Sequence, residues 1–238
     1  MKRFFNNPLA IFLIIFMVYK AFMGGRYDNP MDWIMEMMYL LPGIVIGLSF
    51  HEFAHAFAAC LCGDETPRLQ GRVTLNPMAH IDPIGFIALF LIGFGWGRPV
   101  EINPGNFKKP RVQELIVALA GVVTNLLIAL MLTGLLRILY QFQLTFMLSE
   151  MGTIIHEIII HGIQINIILM IFNLLPIPPL DGFNVITQIF NLRNTRLYYE
   201  IYDKGFLILM IFIIFNLTGR ILWPIFNFVY GNLINLFF

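Results

Sequence analysis

Charge is what this 238-residue chain has least of: Asp, Glu, Lys and Arg make up 12% of it, against about 25% in ordinary soluble domains. A water-soluble globule is excluded on that ground, and the same composition excludes a disordered chain or a collagen-like fibre. The charges present nearly cancel, 15 Lys and Arg against 14 Asp and Glu. No basic field exists to hold nucleic acid, so none is expected as a partner. Cysteine is nearly missing as well. Cys60 and Cys62 are the only two, too few for a disulfide framework, and their spacing points them to different sides of a helix rather than into a Cys-x-x-Cys metal clip. They read as small apolar helix residues. What the chain has instead is apolar bulk: 58% hydrophobic residues with 24 Phe and 13 Met, and a mean hydropathy of +0.78. One core of this length cannot bury that much apolar surface, so the expected solvent is the lipid bilayer.

Crossing roughly 30 Å of hydrocarbon takes about 20 helical residues. Apolar runs of suitable length cover residues 8–24, 33–62, 113–140, 151–175 and 205 onward. Residues 84–96 are apolar but short and rich in glycine, which reads as a re-entrant hairpin. Asn216, Gly219 and Pro224 either kink one long C-terminal helix or turn the chain into a sixth span. The runs are continuous rather than alternating, which argues against an outer-membrane barrel. The predicted fold is therefore an all-α polytopic membrane protein of about five or six transmembrane helices, with the re-entrant hairpin and a short strand segment at residues 72–76. It is expected as one domain over residues 1–238: an N-terminal anchor helix (1–32), a catalytic core (33–182) and a C-terminal helix or helices (205–238). The start, Lys2-Arg3 before an apolar centre, resembles a signal peptide, but no small-x-small cleavage site follows, so it reads as an uncleaved anchor.

Placing the N-terminus in the cytoplasm puts eleven of the 15 Lys and Arg on that side. Lys20, Arg26, Arg137 and Arg220 fall on the other, and the positive-inside rule selects this orientation. The expected location is a bacterial cytoplasmic membrane.

An ionisable side chain within a membrane helix costs about 2.5–3.5 kcal/mol on insertion scales, so each one is a functional candidate. The second run holds three together, His51, Glu52 and His55. Residues i and i+4 lie about 40° apart around a helix, so both imidazoles stand on one face, one turn apart. Two histidines so placed can bind one tetrahedral zinc, with the residue after the first histidine beside the metal as a carboxylate base. That chemistry is water activation, in which Glu52 takes the proton. From His51 to Cys62 the helix runs roughly 17 Å at about 1.5 Å per residue, which places the metal well below the cytoplasmic interface.

A catalytic zinc needs a third protein ligand and an open position. Asp181 is the leading candidate, because Pro176, Pro178 and Pro179 must end the fourth helix and an extended segment can return Asp181 into the bundle. Asp181 can equally cap a helix that starts near Gly182. His80 and Asp82 compete for the ligand role. Asn125 either donates to the oxyanion of a tetrahedral intermediate or makes an interhelical hydrogen bond, with Gly121 allowing close helix approach. His156 and His161 imitate the pair with one extra residue, but five residues leave the imidazoles roughly 140° apart, on different faces.

These residues together resemble the site-2 protease family of intramembrane zinc metalloproteases, in its compact bacterial form. The likeness runs from about residue 42 to 182. It takes in the His51-Glu52-Phe53-Ala54-His55 helix, Gly63 to Arg68, Gly71 to Pro77, and His80 to Gly85. It continues through Gly95 to Val100, Asn103-Pro104, Gly121 with Asn125, and Asn173 to Gly182. The resemblance implies that His51, His55 and Asp181 bind one zinc per chain, that Glu52 is the general base, and that Asn125 contacts substrate or intermediate. Nothing resembles the PDZ or CBS domains of some members. The function expected is hydrolysis of a peptide bond in or near the transmembrane segment of a substrate protein, with residues 72–76 as an edge for the extended substrate. The alternatives are a non-proteolytic zinc-binding membrane protein and a transporter, which would need polar groups continuing across the bilayer.

Overall fold

A computed structural model describes residues 30–92 and 95–238 of the protein. The first expected span, residues 8–24, lies outside them. Continuous apolar sequence with few breakers gives three long helices: α1 (Pro30–Leu61), then, after short α2 (Thr66–Leu69), α3 (Pro77–His80) and α4 (Pro83–Ile92), α5 (Pro110–Phe142), and, after α6 (Leu144–Met147), α7 (Glu150–Asn173). Pro110 opens α5, where its missing N–H has no intrahelical partner to lose. The Ser149 side chain caps α7 by accepting from the Gly152 N–H. All three are long and apolar enough to cross a membrane, and they correspond to the second, third and fourth expected runs. Past α8 (Asp181–Ile189), α9 (Arg196–Ile214) and α10 (Leu217–Phe237) meet at 74° and together count as one further candidate span. The break falls at Asn216, whose φ is +53°, and not at Pro224, which α10 accommodates in its interior.

Helices α1, α5 and α7 pack on one another. Gly43 explains how closely: a β-carbon there would sit 2.7 Å from the Cα of Gly162, so α1 and α7 cross with their backbones in contact. The core between α5 and α7 follows the helical repeat. Val122, Ala129 and Leu136 face Ile159, Ile163 and Ile167, with Phe226 and Leu233 of α10 closing one side. Val123, Leu127, Met131, Leu135 and Ile138 form an exposed row on the opposite face of α5. A soluble monomer does not expose so long an apolar face, and this is a membrane protein.

Helix α4 has ten residues, about 15 Å of rise, and the chain then comes back to its start. Gly97 forms an antiparallel bridge with Ile81, and the Arg98 N–H donates to the His80 carbonyl at 2.7 Å. The segment expected as a strand, residues 72–76, is not one. The Thr74 N–H turns back onto the Arg72 carbonyl, the Thr74 carbonyl accepts from His80 Nε2 at 2.7 Å, and the Asn76 side chain caps α3. Residues 72–76 thus form a turn leading into the α3 cap, and the strand in the expected fold is corrected. No β-strand occurs among the described residues.

Asp64, fully buried just past α1, ties this loop layer together. It accepts from the Thr66 N–H and hydroxyl and from the Asn106 amide at 2.6–3.1 Å, and from the Asn103 N–H at 2.7 Å. Burial pushes its carboxyl upward, but those four donors outweigh burial and hold it below the usual carboxylate range. A depressed folded pKa contributes stability above the ordinary carboxylate range and loses it as pH falls through the folded value. Asp64→Asn is therefore expected to unfold at a lower temperature than wild type at neutral pH, by the equivalent of about 1–3 kcal/mol. The gap should close on acidification, and thermal melts in detergent across pH check it. A gap of constant size would show that the charge is not what matters.

Candidate metal centre

His51 and His55 lie on consecutive turns of α1 and both are buried, at 4% and 7% exposure. Each ring is held from behind. The Nδ1–H of His55 donates to the Val117 carbonyl of α5 at 2.7 Å, and that of His51 donates to Oδ1 of Asn125 at 2.6 Å. With acceptors facing both Nδ1 atoms, the protons sit there and the Nε2 lone pairs turn inward. The two Nε2 atoms are 3.0 Å apart. Asp181 Oδ2 completes a triangle at 3.1 Å from His51 Nε2 and 3.2 Å from His55 Nε2.

Asp181 opens α8, yet it does not cap that helix: the cap position is Leu180 and carries no side-chain hydrogen bond. The carboxylate turns toward His51 and His55 instead, so the capping reading is set aside. Its Oδ2 is buried with no hydrogen-bond donor assigned to it. Three potential ligand atoms therefore converge on one point, an arrangement that a cation between them would stabilise. Two imidazole nitrogens and one carboxylate oxygen are a donor set that suits zinc and leaves a fourth position open. Among the described residues they form the one such group.

Gly121 of α5 makes the arrangement possible, since a β-carbon there would lie 2.5 Å from His55 Nε2 and 2.6 Å from Nδ1 of His51. Glu52, half-buried, follows His51 on α1 and is not one of the three converging residues. The returning segment after α4 reaches it, and the Val100 N–H donates to its Oε2 at 3.2 Å.

The competing ligands are engaged elsewhere. His80 bonds Thr74, and Asp82 caps α4 through the N–H groups of Ile84 and Gly85. His156 meets the Tyr140 hydroxyl, while His161 donates to the Glu157 carbonyl and lies against the Tyr39 ring. These two do not converge, as the five-residue spacing predicts. Of the two roles open to Asn125, the structure shows the interhelical hydrogen bond. Its two N–H groups go to the Gly47 carbonyl at 3.1 Å and to Asn166 Oδ1 at 2.9 Å, and its oxygen takes the His51 proton. Both N–H groups are engaged in this arrangement, and the oxygen of Asn125 faces the His51 ring. Asn166, an exception among the polar groups when a transporter path is considered, was not assigned to the site from sequence, and neither were the Val117 carbonyl and the Val100 N–H. Asn166 carried a signal, a polar side chain in an apolar helix; the two backbone groups carried none.

Apolar helices enclosing a His, His, Asp triangle, with a glutamate next to the first histidine in the chain, are the arrangement that a membrane zinc metalloendopeptidase needs. Comparison with known proteins gives the same class. Residues 149–217 match Peptidase family M50. A Bacillus subtilis protein named as a zinc metalloprotease, YwhC, is 37% identical over 203 residues, covering 84% of this chain and 91% of that one. A Mycolicibacterium smegmatis protein named as a zinc metalloprotease, Rip2, is 28% identical over 232 residues, covering 90% of this chain and 83% of its own length. No solved structure matches. The chain belongs to peptidase family M50, the site-2 protease family.

Proposed function

We propose that this protein hydrolyses a peptide bond in or near the transmembrane segment of a substrate membrane protein, with Glu52 as general base. The observation that carries the reading is the convergence of His51 Nε2, His55 Nε2 and Asp181 Oδ2, within helices whose outer faces are apolar. One zinc per chain, held by those three atoms, would supply polarisation of the scissile carbonyl and a water of lowered pKa. The chain's own residues do the rest. Glu52 is held at Oε2 by the Val100 N–H, which leaves Oε1 to take a proton from water and later return it to the leaving amine. Asn125 and the Val117 carbonyl keep both imidazoles turned inward. A helical substrate hides its carbonyls in its own hydrogen bonds, so the scissile stretch must unwind before it can reach the site.

Residues 1–238 act as a single domain in this reading, lying in a bacterial cytoplasmic membrane with the N-terminus and the metal toward the cytoplasm. Residues 84–96 serve as a re-entrant hairpin, supported by the return of Gly97 to Ile81. With the N-terminal anchor and the bent α9–α10 pair counted, five or six helices cross.

Purified protein in lipid is expected to cleave at least one member of a panel of single-span membrane proteins. Stripping metal with a chelator should stop cleavage and added zinc should restore it. Cleavage that persists in metal-free protein would rule out the metal-centred reading. Zinc binding with no turnover on any substrate would favour the non-proteolytic alternative.

A further inference from the structure

Asn166 of α7 is fully buried where α1, α5 and α7 meet, and nothing in the proposed reaction uses it. Its amide has a definite polarity. Nδ2 donates to the Gly162 carbonyl, one turn back on the same helix, at 2.8 Å. A backbone carbonyl only accepts, so Oδ1 of Asn166 must face the other way, where it accepts from Asn125 Nδ2 at 2.9 Å. The second Asn125 N–H goes to the Gly47 carbonyl at 3.1 Å, again an obligate acceptor. That leaves Oδ1 of Asn125 to face His51 Nδ1 at 2.6 Å. Donors and acceptors thus alternate without choice from a carbonyl on α7 to the Nε2 lone pair of His51.

The two histidines are controlled differently. His55 has its tautomer set by a backbone carbonyl, that of Val117, whose sign cannot change. His51 faces a side-chain amide, and an amide rotated by 180° exchanges oxygen for nitrogen at little steric cost. Rotation of Asn125 would present NH2 to His51, move the imidazole proton to Nε2 and block the position that faces Asp181. In that orientation Asn125 Oδ1 would meet two acceptors, Asn166 Oδ1 and the Gly47 carbonyl, in a space with no side chain at Gly47 and none to spare: a β-carbon there would lie 2.8 Å from Asn166 Oδ1. We propose that Asn166 is a positioning residue for the metal centre, locking the Asn125 amide so that His51 offers Nε2 to the metal. The proposal rests on the reading of His51, His55 and Asp181 as ligands.

The test compares the purified full chain with Asn166→Leu, of similar size and no polarity, and with Thr133→Val. Thr133 is also buried, but its hydroxyl bonds only its own helix, at Ala129, so its loss controls for removal of a buried polar group. Zinc affinity is read by competition with a chromogenic chelator, the visible absorption of the cobalt-loaded protein reports ligand geometry, and thermal unfolding reports the fold. Asn166→Leu is expected to bind zinc about ten- to a hundredfold more weakly with an altered cobalt spectrum, while Thr133→Val keeps wild-type affinity. Wild-type affinity and spectrum in Asn166→Leu, with only a lower melting temperature, would mean that Asn166 merely joins helices, and the proposal falls. Equal losses in both variants overturn it too. Should Asn166→Leu not accumulate, the nitrogen-15 shifts of His51 in zinc-loaded wild type decide: a protonated Nδ1 with metal at Nε2 supports the lock, and metal at Nδ1 overturns it. Wild-type protein that binds no zinc overturns the ligand reading itself, a result separable from unchanged affinity in Asn166→Leu.

Discussion

Glu52→Gln is expected to lower peptide-bond cleavage by about 10²–10⁴-fold, the range contributed by a positioned general base, while zinc content stays at the wild-type level. Glutamine keeps the length and shape of glutamate, and its carbonyl oxygen can still accept the Val100 N–H that holds Oε2. What it loses is the ability to take a proton. Because Glu52 stands outside the His51, His55 and Asp181 triangle, the change removes no ligand. The paired measurement is cleavage of a single-span substrate together with metal analysis of the same preparation. Undiminished cleavage would remove Glu52 from the mechanism. Lost cleavage together with lost zinc would make Glu52 a fourth ligand or a structural support, and not a base.

Gly121→Val is expected to empty the metal site. A β-carbon at Gly121 would lie 2.5 Å from His55 Nε2 and 2.6 Å from Cε1 and Nδ1 of His51, distances that require something to move. The obstructing atoms are not the far ends of flexible chains. They belong to two rings fixed from behind by Asn125 and the Val117 carbonyl, so relief must come from parting α1 and α5 or rotating the ligands out of register. Either motion breaks the convergence of three donors, and the expected loss of zinc affinity exceeds a hundredfold, with Ala less severe than Val. Gly231→Ala is the control, since a β-carbon there meets nothing within 4 Å. Chelator competition on both variants, alongside thermal unfolding, separates loss of the site from loss of the fold. A Gly121→Val protein with wild-type zinc affinity would mean that the geometry between α1 and α5 is not what holds the ligands.

Much of the site was legible in the sequence because part of it is local. The i, i+4 spacing of His51 and His55 places both rings on one face wherever the helix goes, and the five-residue spacing of His156 and His161 separates them just as surely. Asp181 was legible only as one of two outcomes. Its position after three prolines suits a helix cap as well as a ligand, and the choice depends on which way the carboxylate turns once α8 is docked against α5. Asn125 was legible only as one of two roles: a buried amide can serve any neighbour, and its neighbours came from α1 and α7. The segment at residues 72–76 failed as a strand because Arg72, Thr74, Asn76 and His80 satisfy one another within the loop, a competition from side chains that apolar and polar patterning does not register.

The sequence by itself determined the solvent, the long helices and the histidine pair. Composition and helical period act on each segment without regard to the others, so 12% charge, long apolar runs and a four-residue spacing keep their meaning in any fold. Only the tertiary structure decided the third donor, the partner that orients His51, and the Val100 N–H that holds Glu52. Each of these depends on which faces of α1, α5 and α7 meet, and at Gly43 and Gly121 that is settled by close contact between helices. Several of the groups involved are backbone carbonyls and N–H groups, present at nearly every residue, so nothing in their side-chain identity distinguishes them until the packing brings them to the site.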